Sequence, residues 1–329
     1  MNNTQLLKGI LKGEKVAVAR AISMTENEHI NSDKLLSQIY CHVGKAKRIG
    51  ITGPPGIGKS TLVNELVIAL RKRNKKVGVI AIDPSSIFSG GAILGDRIRM
   101  QNIGIDEDVF IRSMATRGVH GGLNRTASEV ADILDASGKD YIIFETVGVG
   151  QSEVEIFRTA DVTVVVLSPE SGDSIQAMKS GLMEIADIIA VNKSDLPGAD
   201  AFVGNLRNTL EISRSGRTTN KHIAIAKTQA NQGIGIPELL DTITGYLGQI
   251  AQSGQLAVKR QELLKERIKS LILCKIENTI TEHPQITRQI EKYIFTLSPS
   301  GANVKKGGTK PKVTPYEFVD KIIRKVVKR

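Results

Sequence analysis

The sequence predicts an α/β fold in which a largely parallel central sheet is covered by helices on both faces, with helical extensions before and after it. Two observations carry this. Seven short β-rich apolar runs, at 49–52, 77–82, 109–112, 141–145, 162–167, 188–191 and 222–226, are separated by longer amphipathic stretches such as 59–73, 122–136 and 173–186. Near-continuous apolar strands alternating with helices mark parallel strands buried on both sides. The two flanks lack that alternation. Residues 1–45 place Leu6, Leu7, Ile10 and Leu11, then Val16, Ala19 and Ile22, at steps of three and four, the period of helices that form a packing layer. Beyond about Gly248 the strands stop, and 255–280 carries Leu264, Ile268, Leu271, Ile272, Ile276 and Ile280 as one stripe in a polar background. That stripe belongs to an amphipathic helix whose apolar face packs on its own domain or on another subunit. Residues 298–314, rich in Gly, Pro and Lys, read as a connector. Thr314, with Pro315 next and Glu317 three residues on, starts a last short helix.

Composition narrows the function classes. In 329 residues, 45 Lys and Arg face 34 Asp and Glu, a net +11. Residues 301–329 hold nine of those cations against Glu317 and Asp320, so +7 lies in the tail. The remainder is close to balanced, which argues against a nucleic-acid-binding body, as does the absence of Trp with only 4% aromatic residues. No apolar run approaches the roughly 20 residues of a spanning helix, and residues 1–13 lack a secretory apolar core. A soluble, cytoplasmic protein without a membrane partner is expected. Cys41 and Cys274 are isolated, giving neither a disulfide framework nor a zinc knuckle.

The chemistry begins at Gly53-Pro54-Pro55-Gly56-Ile57-Gly58-Lys59-Ser60, followed by Thr61. It satisfies G-x-x-x-x-G-K-[ST] between a predicted strand and a predicted helix, the setting of a P-loop. Backbone N–H groups turn around phosphate oxygens, the helix N-terminus adds its positive end, and Lys59 reaches the β and γ phosphates. Ser60 offers a hydroxyl to Mg²⁺. The fold expectation thus sharpens to a P-loop NTPase, with a nucleotide-binding domain over 46–250, the helical layer over 1–45, and a C-terminal helical arm with a basic tail over 251–329. Mg²⁺ also needs acidic oxygen ligands. Asp83 and Glu145 end predicted strands, and Asp96 sits in a Gly-rich loop; each has the alternative of capping a helix or pairing on the surface.

Base choice is written in Asn192-Lys193-Ser194-Asp195, of the form N-K-x-D after the run 188–191. A carboxylate there accepts from guanine N1–H and N2–H₂, donors that adenine does not match. A site built that way rejects the wrong base strongly. Gln229 and Ala230, after the run 222–226, stand where GTPases place a base-backing loop, with Gln229 in the place of the usual Ser. GTP and GDP are the expected ligands, with hydrolysis of GTP to GDP and phosphate the expected reaction.

With these motifs the chain resembles the MeaB/ArgK family of P-loop GTPases, chaperones associated with methylmalonyl-CoA mutase. The matching stretches are ITGPPGIGKST (51–61), DPSS and SGGAILGDRIRM (83–100), RSMATRGVHGGL (112–123), ETVGVGQSE (145–153), ESGDSIQAMKSGLMEIAD (170–187) and VNKSD (191–195). The match reaches from GEKVAVARAIS (13–23) to TPYEFVDKII (314–323), with Ile87 where Pro or Thr is usual after DPSS. The resemblance implies a homodimeric GTPase that gates adenosylcobalamin delivery to a B12-dependent acyl-CoA mutase and protects or reactivates that enzyme. It also implies that Asp83 and Asp96 frame a first switch, that Glu145, Gly148 and Gln151 belong to a second, and that the segment with Asp173, Gln176 and Lys179 is a third.

Many GTPases place a water-orienting Gln directly after the Gly of the second switch; here Val149 follows Gly148, and Gln151 comes two positions later. Slow intrinsic turnover, raised by a partner, is the expectation, with Lys179 the candidate stimulatory cation and a solvated helix lysine its alternative. Rival readings are a metallochaperone-type GTPase, for which the five His and two Cys are too scattered, an ATP-dependent kinase linked to amino-acid transport, and a non-enzymatic nucleic-acid binder.

Overall fold

The computed structural model describes residues 3–27, 32–84, 101–116, 122–146, 159–170, 182–215, 223–281 and 284–297, together with 314 and 319. Two compact units are present, Met1–Leu263 and Leu264–Arg329. The first opens with helices α1 (Asn3–Leu11), α2 (Lys15–Glu26) and α3 (Ser32–Ile39). There follow β1 (Lys47–Thr52), α4 (Lys59–Lys72), β2 (Val77–Pro84), β3 (Val109–Thr116), α5 (Gly122–Ala136), β4 (Tyr141–Thr146), β5 (Val162–Leu167), β6 (Ile188–Val191), α6 (Ala199–Ser215), β7 (Ala224–Lys227) and α7 (Ile236–Gln252). Two single turns, Gln101–Gly104 and Leu182–Ile185, precede β3 and β6. Helix α8 (Gln255–Thr281) begins in the first unit and runs into the second, which also holds α9 (Pro284–Leu297).

The seven strands form one sheet in the order β3-β2-β4-β1-β5-β6-β7, and every pairing is parallel. The sequence explains why. All six residues of β4 and of β5 are buried, so those strands need apolar side chains on both faces. Ile49, Ile51, Ile143, Val164 and Val166 pack on one face against Leu62, Val63 and Leu66 of α4 and Leu239, Leu240 and Ile243 of α7. On the other face, Ile80, Ile82, Ile142 and Phe144 meet α1, α2, α3 and α5, while Val165, Leu167, Ile189 and Val191 meet Val203 and Leu206 of α6. The N-terminal helices are therefore part of the sheet's own packing, with Ile10, Ala21, Ile22 and Leu35 fully buried there. Parallel pairing brings all the strand ends that follow an apolar run to one edge of the sheet, which is where α/β proteins bind ligands.

The opposite edge is pinned by carboxylates. Asp161, just ahead of β5, has a side chain only 2% exposed and accepts from the backbone N–H of Arg48 at 2.9 Å. It also takes a two-pronged bond from Arg260 at 2.7 and 2.8 Å, while the same guanidinium donates to the carbonyls of Gly44 and Ala46. The hydrogen bond to Asp161 raises the Arg260 pKa further. Asp161→Asn leaves this half-buried guanidinium without its counter-charge and should lower stability by roughly 2 kcal/mol. A shift of the urea midpoint equivalent to less than 1 kcal/mol would show that Arg260 is held by the two carbonyls alone.

Near the start of β3, Lys139 donates to the carbonyl of Asp108 at 2.9 Å. Burial is the main cause that brings its pKa down to about 8, with Asp108 opposing and Lys15, Lys76 and Arg71 adding to the drop. Between about 8 and the ordinary 10.5 the unfolded chain holds a proton that the folded one has released, so stability at this site increases as pH rises through that window. Urea unfolding of wild type and Lys139→Met at pH 7.5 and pH 10 should show the wild type gaining on the variant at the higher pH.

Among the described residues no helix is long and apolar enough to cross a membrane. Four of the six residues of the predicted stripe on α8 are solvent-facing, with Leu264, Ile268, Ile272 and Ile276 at 39%, 48%, 53% and 42% exposed; Leu271 is half-buried and the Ile280 side chain lies outside the described residues.

Candidate nucleotide-binding site

The loop that links β1 to α4 has three glycines at positive φ, of which Gly53 and Gly58 are closely packed. Gly53 adopts φ +142 and Gly58 φ +90, and a Cβ on Gly53 would lie 2.2 Å from the Val166 carbonyl oxygen of β5. Gly58 caps α4, its carbonyl accepting from the N–H of Leu62 at 2.9 Å. Lys59, in the first turn, is 6% exposed and its ammonium donates to the carbonyls of Gly53 and Pro54 at 2.8 and 2.7 Å. The chain thus folds its one buried loop cation inward over a ring of backbone. Pro55 and Gly56 lie at the exposed tip, while Pro54 and Ile57 are buried. Thr61 follows in the helix.

Ser60 Oγ donates to Glu145 Oε1 at 2.5 Å. Glu145 is 5% exposed and stands on β4, in register with Ile51 of β1 and Ala81 of β2. Beside it, Thr146 Oγ1 donates to Thr52 Oγ1 at 3.0 Å within the sheet. Asp83 lies two residues beyond Ala81 on β2, its backbone in register with Ala115; its side chain is outside the described residues. A hydroxyl and a carboxylate converging here form an all-oxygen donor set of the kind that suits Mg²⁺. Asp96, Gly148, Gln151, Asp173, Gln176 and Lys179 lie outside the described residues.

At the end of β6, Asn192 joins the two halves of the site. Its Nδ2 donates to the Ile57 carbonyl at 2.8 Å, and its Oδ1 accepts from Thr228 Oγ1 at 3.1 Å and from the Ala230 N–H at 3.0 Å. A Cβ on Gly58 would touch that same Nδ2 at 2.6 Å. One buried amide, 3% exposed, therefore fixes the phosphate loop against the loop after β7. That second loop closes on itself through Gln229 N–H to Ile234 carbonyl at 2.9 Å, and the Ser194 N–H donates to the Thr228 carbonyl at 3.1 Å. Lys193 adopts φ +54, and its ammonium lies 3.8 Å from Glu170 Oε2. Asp195 is exposed at the sheet edge.

The family model for "Methylmalonyl Co-A mutase-associated GTPase MeaB" matches residues 18–285. The chain belongs to the MeaB family of GTPases. A putative GTPase of Pyrococcus abyssi is 41% identical over 98% of this chain and 96% of its own length. A mouse protein named as a mitochondrial methylmalonic aciduria type A homolog is 34% identical over 91% of this chain and 77% of its own. Among solved structures, a LAO/AO transport system kinase superposes with TM-score 0.68 at 25% identity, covering 99% of both chains.

In this MeaB-family GTPase the residues the motifs single out reach one edge of one sheet, as far as they are described. Three contributors lie outside the P-loop and N-K-x-D motifs. Thr228 props Asn192, Thr52 pairs with Thr146, and Glu170 faces Lys193. Thr52 and Glu170 stand in the stretches 51–61 and 170–187 that resemble the family, and Thr228 is the second residue after the run 222–226. Asn192→Ala removes three hydrogen bonds without adding bulk, and should weaken GTP binding roughly 10- to 100-fold by freeing the two loops from each other. Calorimetric titration with GTP checks this, and an unchanged affinity would make Asn192 a brace for the apoprotein only.

Proposed function

We propose that the site between β1, β4 and β6 binds GTP with Mg²⁺ and hydrolyses it to GDP and phosphate, and that this cycle gates adenosylcobalamin delivery to a B12-dependent acyl-CoA mutase. The single observation that supports the nucleotide reading most is the Asn192 side chain, which ties the loop of Lys59 to the loop of Ala230. A phosphate cradle and a base motif locked together suit a ligand with both ends.

Lys59 supplies the fixed positive charge for the phosphate chain, and the backbone N–H groups of 56–60 add oriented dipoles. Asp195 and Lys193 take the guanine, with Gln229 and Ala230 behind it. Ser60 and Glu145 would hold Mg²⁺, with Asp83 and Asp96 on the adjoining segment; the ion, when bound, neutralises charge on the phosphate oxygens. Catalysis by this chain is then mostly positioning and charge neutralisation. With Val149 after Gly148 and no Gln at that place, the protein alone turns over slowly, and a mutase that orders the switches raises the rate, with Lys179 as the stimulatory cation.

The exposed stripe Leu264, Ile268, Ile272 and Ile276 supports a homodimer formed through the C-terminal arm, which solution mass measurement tests. The decisive experiment measures GTP hydrolysis with and without a B12-dependent acyl-CoA mutase. Stimulation and a stable complex are expected; neither would confine the protein to GTP hydrolysis without this partner. Titration of GTP against ATP separates the reading from a kinase, since a preference for ATP would overturn the base assignment.

A further inference from the structure

The phosphate loop leaves β1, and Asn192 to Asp195 leave β6, while β5 lies between those two strands. A nucleotide held at both places has its triphosphate over the end of β1 and its base over the end of β6, two strand spacings or about 10 Å apart. Its sugar must therefore cross the carboxyl end of β5. There Leu167, in register with Val191, is followed by Ser168, Pro169 and Glu170. Ser168 is 1% exposed, and Pro169 has no N–H and no polar side chain. Glu170 is the exposed polar group of the three, with 61% of its side chain accessible and its carboxylate 3.8 Å from the Lys193 ammonium. That ion pair draws the carboxylate to the β6 side of the β5 end, between the phosphate cradle and the base motif.

We propose that Glu170 reads the sugar, accepting hydrogen bonds from the ribose 2′- and 3′-hydroxyls of the guanine nucleotide while Lys193 holds it in place. The inference rests on the nucleotide reading of the site given above and adds the residue that selects ribose over deoxyribose. Its chemistry fits a vicinal diol: an ionised carboxylate has two acceptor oxygens and no donor. An acidic side chain at a strand end serves the ribose of dinucleotides in the same manner on other open α/β sheets.

The test measures affinities for GTP and 2′-deoxyGTP by calorimetry on wild type, Glu170→Ala and Glu170→Gln. Glu170 is on the surface, so neither variant removes core packing. Wild type should prefer GTP roughly tenfold, the scale of one hydrogen bond to a charged group. Glu170→Ala should bind both nucleotides alike, below the wild-type affinity for 2′-deoxyGTP because the bond to the 3′-hydroxyl is lost as well, and Glu170→Gln, which keeps an acceptor, should retain part of the preference. Equal binding of the two nucleotides by wild type would overturn the proposal while leaving the GTP site intact. An Ala variant that weakens both equally and keeps the preference would also overturn it, making Glu170 a support for Lys193 only. A wild type that binds neither nucleotide would overturn the nucleotide reading and this inference together.

Discussion

Replacing Lys59 by Ala should lower single-turnover GTP hydrolysis by about 10²- to 10³-fold. The expectation follows from where the ammonium is: 6% exposed, in the first turn of α4, bonded to the carbonyls of Gly53 and Pro54 on the opposite wall of the loop. A cation so enclosed is oriented before any phosphate arrives, and a preoriented charge in a site shielded from water stabilises developing negative charge far more than a solvated one. Lys59 also braces the loop, so two further variants separate the roles. Lys59→Gln keeps a hydrogen-bond donor without charge and should restore stability but not rate. Lys59→Arg keeps the charge on a planar, forked group that cannot sit on two carbonyls 2.7–2.8 Å away in the same manner, and should restore neither fully. Hydrolysis by Lys59→Gln within tenfold of wild type would mean that the lysine serves the loop and not the phosphate.

How much of this was legible in the chain depends on which physical signal each part sends. The strands announce themselves because both faces are buried: Val162–Leu167 and Ile188–Val191 fall where the apolar runs lie. Their ligand-side ends do not. β2 continues through Asp83 and Pro84, and β3 continues through Ser113 to Thr116, paired with each other beyond the last long apolar run. Polar residues gather at those ends because the site is there, so the apolar signal stops before the hydrogen-bonded ladder does. At the other end of the sheet β7 begins at Ala224, later than the run 222–226.

The site divides in the same way. Local motifs reveal Lys59, Ser60 and Asn192, since their geometry is set within a few residues. The contacts between them are not local. Ser60 meets Glu145 because β4 is the neighbour of β1, and Asn192 meets Ile57 across 135 residues of chain. Arg260 meets Asp161 across 99 residues with no motif on either side. Sheet order creates the first two pairs and the packing of the start of α8 the third, and a single sequence states neither.

Gly53→Ala, the addition of a single methyl group, should damage both stability and GTP binding. The position follows β1, where the chain turns out of the sheet at φ +142. An L side chain rarely adopts that conformation, at a cost of about 1–3 kcal/mol. Space makes matters worse, because the new Cβ would lie 2.2 Å from the Val166 carbonyl oxygen and 2.9 Å from Ile57 Cδ1. Val166 belongs to β5, one of the fully buried strands, so its carbonyl cannot retreat without breaking ladder bonds. Ile57 is 2% exposed and its own carbonyl is held by Asn192. The loop must therefore shift as a whole, adding roughly 1–3 kcal/mol of overpacking. Together the terms give a loss of about 2–6 kcal/mol, with Lys59 losing its Gly53 partner and Asn192 its register on the loop. Thermal unfolding and GTP titration should both report the change, with a lower melting temperature and binding too weak to titrate. A variant that melts like wild type and binds GTP would show that the loop has a second conformation open to an L residue at this position.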